Sequence, residues 1–238
     1  MATMTLEQLV TQLRAAYGNE LRAVVLYGSA AAGEHIPKRS DYNVLVIVES
    51  LGLERLRAAA AVARAWGESG NPPPLTLTVK EWRGSADIFP MEYADLLERH
   101  KVLYGDPQLD GLRVQRSDLR LQLEQEAMGK LLKLRQGVLA SGGDEKGLTQ
   151  LLAASLSTIM VIFRAVIRLH GAVPPVDNLE VSRAVAGYAR FDSAPFERVV
   201  RHVRGESTMS AAEAGGVLAG YLGGMERLVA HLDEFAPG

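Results

Sequence analysis

The sequence predicts an α+β fold, in which a sheet backed by helices occupies residues 1–112 and an all-α helical bundle follows over residues 113–238. Two observations support this prediction. Short runs rich in β-branched residues alternate with helical patterns as far as Tyr104. Beyond Gly105-Asp106-Pro107 there is no convincing strand pattern, and apolar residues recur at helical spacing instead. We therefore expect two domains, with the change of character close to residue 112.

The first domain is expected to begin with an amphipathic helix, because apolar residues recur at helical spacing from Leu6 until Gly18-Asn19 interrupts them. Three later runs have the composition of buried or half-buried strands. They are RAVVLY at 22–27, YNVLVIV at 42–48 and LTLTV at 75–79. Helices are expected over 51–67 and about 90–99, and a short apolar piece, 102–104, ends this domain's pattern of alternating elements.

The second domain is expected to contain five helices, at roughly 117–140, 147–170, 178–190, 194–204 and 208–234. Ser117 is a plausible N-cap of the first. In the last helix a small residue recurs every fourth position, which places Ala212, Gly216, Gly220 and Gly224 in one stripe. Such a stripe indicates close helix contact inside the bundle; a homodimer seam or a wall of a nucleotide site are the alternatives.

Composition excludes several classes of function. The chain has no cysteine, so disulfides, thiolate zinc sites, iron–sulfur clusters and cysteine nucleophiles are excluded. A formal charge of −2 gives no general attraction for a polyanion, and we expect small ligands rather than DNA. The first residues lack the apolar core of a secretory signal, and the longest uncharged run, 147–163, is interrupted by polar residues. We therefore expect a cytoplasmic protein without a membrane span.

Two short motifs around the first two strands carry the chemistry. Gly28-Ser29 follows the first strand and leads into a small, helix-compatible run that includes Gly33, a setting that suits phosphate. Ser40 and Asp41 then precede the second strand, where Asp41 and Asn43 are two positions apart. Residues two apart on a strand point to the same face, as two ligands of one metal site must.

Together these motifs resemble the signature of the nucleotidyltransferase superfamily, which includes DNA polymerase beta and kanamycin nucleotidyltransferase. The resemblance covers about residues 20–50 and implies a nucleotidyltransferase-type mixed sheet. It also implies that Mg²⁺, or Mn²⁺, and a nucleoside triphosphate are bound, and that a nucleoside monophosphate is transferred to a small-molecule or protein acceptor with release of pyrophosphate. By this resemblance the nucleotide-binding residues are Gly28, Ser29, Gly33 and Ser40, and Asp41 is the catalytic acid and first metal ligand.

The sequence departs from the superfamily pattern at Asn43, which stands where relatives have their second acid. An amide oxygen can coordinate Mg²⁺ but carries no charge to neutralise it. A third acid is also absent from LTLTV, and Asp87 and Glu92 are the better candidates beyond it. Two functions stay open: an active transferase, or a degenerate site that binds a nucleotide or a partner without chemistry. A weaker resemblance, an arginine followed by a histidine as in some helical ribonucleases, is present at Arg164 and His170.

Overall fold

The computed structural model describes residues 4–31, 42–142 and 144–236. The chain divides into two compact units, Met1–Val114 and Gln115–Gly238. Each unit is described by itself below. The first contains a sheet with helices, and the second, over the residues described, is helical throughout its regular structure.

The first unit contains a four-stranded mixed sheet with the strand order β3-β2-β1-β4. Strand β1 pairs antiparallel with both β2 and β4, whereas β3 runs parallel to β2. The mixed sheet and the strands expected from the sequence are thus confirmed. The bounds are Leu21–Tyr27 for β1, Asn43–Val48 for β2, Leu75–Thr78 for β3 and His100–Gly105 for β4.

In the described part of the first unit there are four α-helices: α1 (Leu6–Tyr17), α2 (Leu53–Glu68), α3 (Val79–Gly84) and α4 (Pro90–Glu98). Sequence reasoning missed α3, because Val79 was assigned to the preceding strand. The signal was a capping box. Thr78 Oγ1 accepts a hydrogen bond from the Glu81 backbone N–H at 3.2 Å, and the Glu81 carboxylate accepts one from the Thr78 N–H at 2.7 Å. These two bonds satisfy free N–H groups at the helix start and end the strand.

The two faces of the sheet carry separate parts of the core, because successive strand residues point to opposite sides. On one face, Val24 and Val46 pack with α1 and α2 residues that include Leu9, Leu13 and Trp66. On the other, Val25 and Leu45 pack with Trp82, Tyr93 and Leu96 from α3 and α4. Burial on both faces explains why β1 and β2 are nearly continuous apolar runs rather than alternating ones.

The second unit comprises α5 (Arg116–Ser141), α6 (Glu145–Leu169), α7 (Asn178–Ala189), α8 (Ala194–Arg204) and α9 (Ala211–Glu234). The helical C-terminal region expected from the sequence is confirmed. Helices α5, α6 and α9 pack against one another, and α7 and α8 pack on α6 and α9. The N-cap assignment of Ser117 is wrong, because α5 begins one residue earlier and Gln115 occupies the cap position.

Helix α6 forms much of the core of this unit. It is 25 residues long, and its most apolar stretch has a mean hydropathy of 1.8, so by length and composition alone it could cross a membrane. Half of that stretch is buried within the described structure. Its buried side chains, which include Leu152, Ile159 and Phe163, are those of a central helix in a bundle.

The small-residue stripe of α9 lies partly against α8. A Cβ atom built at Gly220 would be 2.5 Å from Pro195 Cγ, and one built at Gly224 would be 2.5 Å from Phe196 Cε2. At Gly216, by contrast, no atom of the described residues outside its own helix lies within 4 Å of the Cβ position. Close contact between two helices of the bundle therefore accounts for the glycines at 220 and 224.

Candidate functional site

The turn that follows β1 is built around Gly28. Residues Gly28–Ala30 form a single 3₁₀ turn, in which the Ala31 N–H donates to the Gly28 carbonyl at 3.1 Å. Gly28 has φ +75°, in the left-handed region where a side chain costs about 1–2 kcal/mol. Its Cβ position would lie 3.4 Å from Asn43 Nδ2. The turn and the head of β2 are therefore in direct proximity.

Three neighbouring strands meet at this end of the sheet. Tyr27, the last residue of β1, is paired with Asn43 on β2 and with His100 on β4. The chain enters β2 in a fixed position, because the Tyr42 N–H donates to Asn71 Oδ1 at 3.0 Å. Asn43 is half-buried at the first position of its strand. Its amide thus lies beside the Gly28 turn.

Helix α4 brings negative charge to the same end. Burial raises the pKa of the Tyr27 hydroxyl, and the carboxylates of Glu92 and Asp95 raise it further. Tyr27 also packs against the core cluster that contains Tyr93 and Leu96 of α4, so this helix lies beside the end of β1. Glu92 and Asp95 are three positions apart on α4 and so occupy neighbouring positions on the helix surface. Asp95 was missed from the sequence, because only the packing of α4 reveals its effect on Tyr27.

The charge of Asp87 acts on Tyr93. Asp87 lies exposed in the turn after α3, and its charge contributes to the raised pKa of Tyr93, which burial brings to about 12. The Tyr93 hydroxyl donates to the Trp82 carbonyl at 2.6 Å, and the two rings stack with centroids 4.5 Å apart. Of the two acids selected from the sequence, Glu92 is the one whose charge acts on Tyr27.

Several residues selected from the sequence fall where the structure gives no description. Gly33, Ser40, Asp41 and the side chain of Ser29 lie outside the described residues. Within residues 4–31, 42–142 and 144–236, no three or more histidine, aspartate or glutamate side chains form a group that could hold a metal ion. Among the described polar side chains, Asn43 lies beside the turn, and Glu92 is linked to it through the effect of its charge on Tyr27.

Arg164 and His170, the weaker motif, have separate partners. The Arg164 guanidinium donates to the Val176 carbonyl at 3.1 Å and to Asn178 Oδ1 at 2.7 Å, at the start of α7. His170 Nε2 lies 3.0 Å from Nε2 of His231 on α9. Arg164 thus links α6 to the start of α7, and His170 links the end of α6 to α9. Both residues therefore have structural roles in the bundle.

Comparisons with known proteins identify the fold. No protein-family profile matches the sequence, and no curated protein matches it at the sequence level. Among solved structures the chain is similar to the spectinomycin adenyltransferase AAD(9) from Enterococcus faecialis, determined with ATP and spectinomycin. The TM-score is 0.58 at 14% identity, over 97% of this chain and 100% of that chain. A toxin–antitoxin structure with AMP-PNP shares 16% identity over 44% of this chain and 77% of that chain, with a TM-score of 0.31, too low to carry weight.

This chain thus has the fold of a nucleotidyltransferase, with a mixed sheet and a helical C-terminal region. The likeness extends over nearly the whole of both chains, so it includes the helical part. The superfamily resemblance seen around residues 20–50 is confirmed as a statement about fold.

Proposed function

We propose that this protein binds a nucleoside triphosphate with Mg²⁺ at the end of the sheet formed by Gly28, Tyr27 and Asn43. The observation that carries the proposal is the proximity of the left-handed Gly28 turn to the first residue of β2. A solved structure with this fold was determined with ATP, which supports a nucleotide as the ligand. We expect the protein to act in the cytoplasm, where nucleoside triphosphates are abundant.

The phosphates would be bound by the turn. Gly28 lets the backbone approach a ligand closely, and the Ser29 hydroxyl supplies a donor to a phosphate oxygen. Gly33 and Ser40 complete the nucleotide-binding set inferred from the superfamily pattern. These contacts use backbone N–H groups and hydroxyls, so they do not depend on the identity of the base.

The residues near the turn suit a cation site of reduced charge. Asp41 would be the first ligand, and Asn43, two positions later at the start of β2, would be the second. Glu92, whose charge acts on Tyr27, is the better candidate for a further acid, and Asp87 is the alternative. Mg²⁺ bound here would neutralise phosphate charge. Because Asn43 contributes no charge, the affinity for Mg²⁺ is expected to be lower than with two adjacent carboxylates.

Transfer of a nucleoside monophosphate to a small-molecule or protein acceptor would follow if these acids suffice, with Asp41 as the catalytic acid. The charges of Glu92 and Asp95 around Tyr27 favour this outcome. A second candidate function is binding of a nucleotide or partner without transfer. Asn43 favours it, since an amide occupies the position where the superfamily pattern has an acid. Two measurements separate the two functions.

Binding is tested by thermal unfolding with ATP, GTP, CTP or UTP, each in the presence and absence of Mg²⁺. A nucleotide at about one hundred times its dissociation constant should stabilise the native state by about 2.7 kcal/mol. Asp41→Ala should weaken the Mg²⁺-dependent part at least about tenfold, while Glu68→Ala, an exposed acid at the end of α2, should leave it unchanged. If none of the four triphosphates stabilises the protein, the proposal is refuted.

Transfer is tested by pyrophosphate release from labelled triphosphates with candidate acceptors, using Mg²⁺ and Mn²⁺ in turn. An active enzyme should lose release in Asp41→Ala and in Glu92→Gln but retain it in Asp87→Asn. Asn43→Asp restores a carboxylate and should raise Mg²⁺ affinity about tenfold. Nucleotide binding without release above the Asp41→Ala background would assign the second function for the acceptors tried.

A further inference from the structure

Helix α5 carries a row of large apolar side chains on its exposed face. Leu121, Met128, Leu132 and Leu139 are 64%, 40%, 48% and 81% exposed, respectively. At 100° per residue these four positions fall within about 40° of one another around the helix axis. They lie in one row about 27 Å long, on the side away from the buried residues of α5. We call this row the α5 stripe.

Four exposed apolar side chains aligned on one face of a helix require an explanation, whereas a single exposed leucine does not. Scattered apolar side chains are normal on a protein surface, but contiguous apolar patches mark interaction sites. The core-facing side of α5 is already supplied by Leu123, Leu131 and Leu134, among others. The stripe is thus a second apolar face on a helix that needs only one to pack in its own unit.

The spacing of the stripe is symmetric. Its members are separated by seven, four and seven positions, so the pattern reads the same in both directions about residue 130. If two copies of α5 lie antiparallel, Leu121 faces Leu139 of the partner subunit and Met128 faces Leu132 of the partner subunit. Every member then meets an apolar side chain at once. A self-complementary surface of this kind is what a two-fold dimer requires.

The residues flanking the stripe have the same symmetry. Glu124 and Arg135 lie on one flank, and Gln125 and Gln136 lie on the other, each at about 40–60° from the stripe. In a two-fold antiparallel pair each flank faces its own counterpart, so Glu124 comes opposite Arg135 of the partner subunit, twice. In a two-fold parallel pair each flank would instead face the other flank, so Glu124 and Arg135 would come opposite Gln125 and Gln136 of the partner subunit, without a charge pair. The flank charges therefore select the antiparallel arrangement.

Both charged flank residues have partners within their own chain. Glu124 pairs with Arg120 at 3.0 Å, and Arg135 pairs with Glu226 at 2.8 Å, with the latter two about half exposed. Surface ion pairs of this type contribute less than about 1 kcal/mol, so sharing or exchanging them costs little. They do not oppose association of the two helices.

We propose that the α5 stripe is a homodimer interface, in which two copies of this chain pair antiparallel through α5 about a two-fold axis near residue 130. One stripe of helix covers roughly 300 Å² per partner, from its length and a helix width of about 10–12 Å. That is below the roughly 800 Å² per partner of a standard stable interface. The dimer is therefore expected to dissociate on dilution.

Sedimentation velocity over about a hundred-fold range of concentration, reaching several hundred micromolar, tests association. The wild-type protein should shift from monomer to dimer. Leu132→Glu and Met128→Lys should each remain monomeric, whereas the double variant Met128→Lys/Leu132→Glu should recover dimerisation. Only the antiparallel register brings the introduced lysine of one copy against the introduced glutamate of the other. Val173→Glu, at a 78% exposed site of the same unit, should dimerise as the wild type does.

Disulfide trapping tests the register independently. Because the chain has no native cysteine, a disulfide can form only between the introduced cysteines. Under mild oxidation Leu121→Cys/Leu139→Cys should give a covalent dimer, because position 121 meets position 139 of the other copy. Either single variant should give none, since its two cysteines would be separated by about the length of the stripe, 27 Å. Wild-type protein that stays monomeric at the highest concentration, or equal crosslinking of the single variants, would overturn the proposal.

Discussion

The Nε2 atoms of His170 and His231 lie 3.0 Å apart, joining the end of α6 to α9 across 61 positions of sequence. Their ring centroids are 5.2 Å apart and the rings are within 13° of parallel. The centroid distance exceeds the distance between the Nε2 atoms by about the sum of the two ring radii. The two rings therefore lie side by side, with their Nε2 atoms facing each other. One Nε2–H donates to the other Nε2, which accepts as a neutral imidazole, so protonation of the accepting nitrogen would break this bond.

Stability should therefore fall in mild acid. Burial lowers the pKa of His170, and the charges of His231 and Arg116 lower it further. Burial also lowers the pKa of His231, with Glu234 opposing and Arg190 adding to the effect. A histidine with a depressed folded-state pKa contributes stability that is present above its unfolded pKa of about 6.5 and is lost as pH falls below it.

Urea unfolding at neutral pH and at mildly acidic pH checks this expectation. The double variant His170→Gln/His231→Gln should show a weaker loss of stability between the two conditions than the wild type. His202→Gln, in the same unit but outside the pair, should keep the wild-type slope. An unchanged slope in the double variant would contradict the assigned role of the pair.

The α9 glycines provide a matched test of helix packing. Gly224→Ala should destabilise the protein by about 1–3 kcal/mol, because its methyl group would lie 2.5 Å from the ring of Phe196, which is fully buried. Gly216→Ala has open space on the same helix and should stabilise it by about 0.5–1 kcal/mol through helix propensity. Urea midpoints for the two variants should move in opposite directions. A common direction would show that α9 does not pack on α8 as described.

A side chain at the first position of the turn after β1 should destabilise the protein. Gly28→Ala places a Cβ at φ +75° and should cost about 1–2 kcal/mol of stability. It should also weaken nucleotide binding, because the turn must shift to relieve the strain. Gly67→Ala in α2, where no neighbour lies within 4 Å, is the control and should be neutral or stabilising. Thermal unfolding with and without a triphosphate measures both effects; equal behaviour of the two variants would remove the turn from the site.

Glu197 on α8 should contribute to stability chiefly through its charge. Its buried carboxylate accepts hydrogen bonds from Arg183 at 2.9 and 2.7 Å, from Ser193 at 2.9 Å and from Arg201 at 3.1 Å. The Arg183 guanidinium, above all, lowers the pKa of Glu197. Because both arginines are about half exposed, Glu197→Gln should cost only about 1 kcal/mol near neutral pH.

A depressed glutamate pKa gives stability that is present above the ordinary value of 4.5 and lost as pH falls below it. Glu197→Gln should therefore differ from the wild type at neutral pH and converge with it in acid. Glu206→Gln, half exposed and 3.6 Å from Arg204, should match the wild type at both pH values. Denaturant unfolding across this range measures the difference. A constant difference down to acid pH would show that the charge of Glu197 is not responsible.

Most of the secondary structure could be predicted from the sequence. The five helices of the second unit are where the periodicity placed them, within a few residues, because a buried face repeats every three to four positions. The exception in the first unit, α3, was hidden by a run of β-branched residues, LTLTV, whose composition is typical of a strand. Its first turn depends on the Thr78–Glu81 capping box, a local signal that overrides strand composition at Val79.

The site could be predicted only in part. Gly28 and Asn43 are visible in sequence because both lie within one short motif around the first two strands. Asp95 was not, since only the packing of α4 beside β1 brings its charge to Tyr27. Asp87 and Glu92, five positions apart in sequence, were equivalent candidates until the fold associated them with different tyrosines.

The sequence by itself determined most of the segments that form strands and helices, the resemblance of residues 20–50 to a nucleotidyltransferase motif, and the presence of an amide at position 43. These are properties of local spacing and residue chemistry, which adjacent positions express directly. Only the tertiary structure decided the strand order, the pairing of His170 with His231, and the second apolar face of α5. Each depends on which surfaces become buried and which stay exposed when distant segments pack together. The local spacing of residues does not determine this packing.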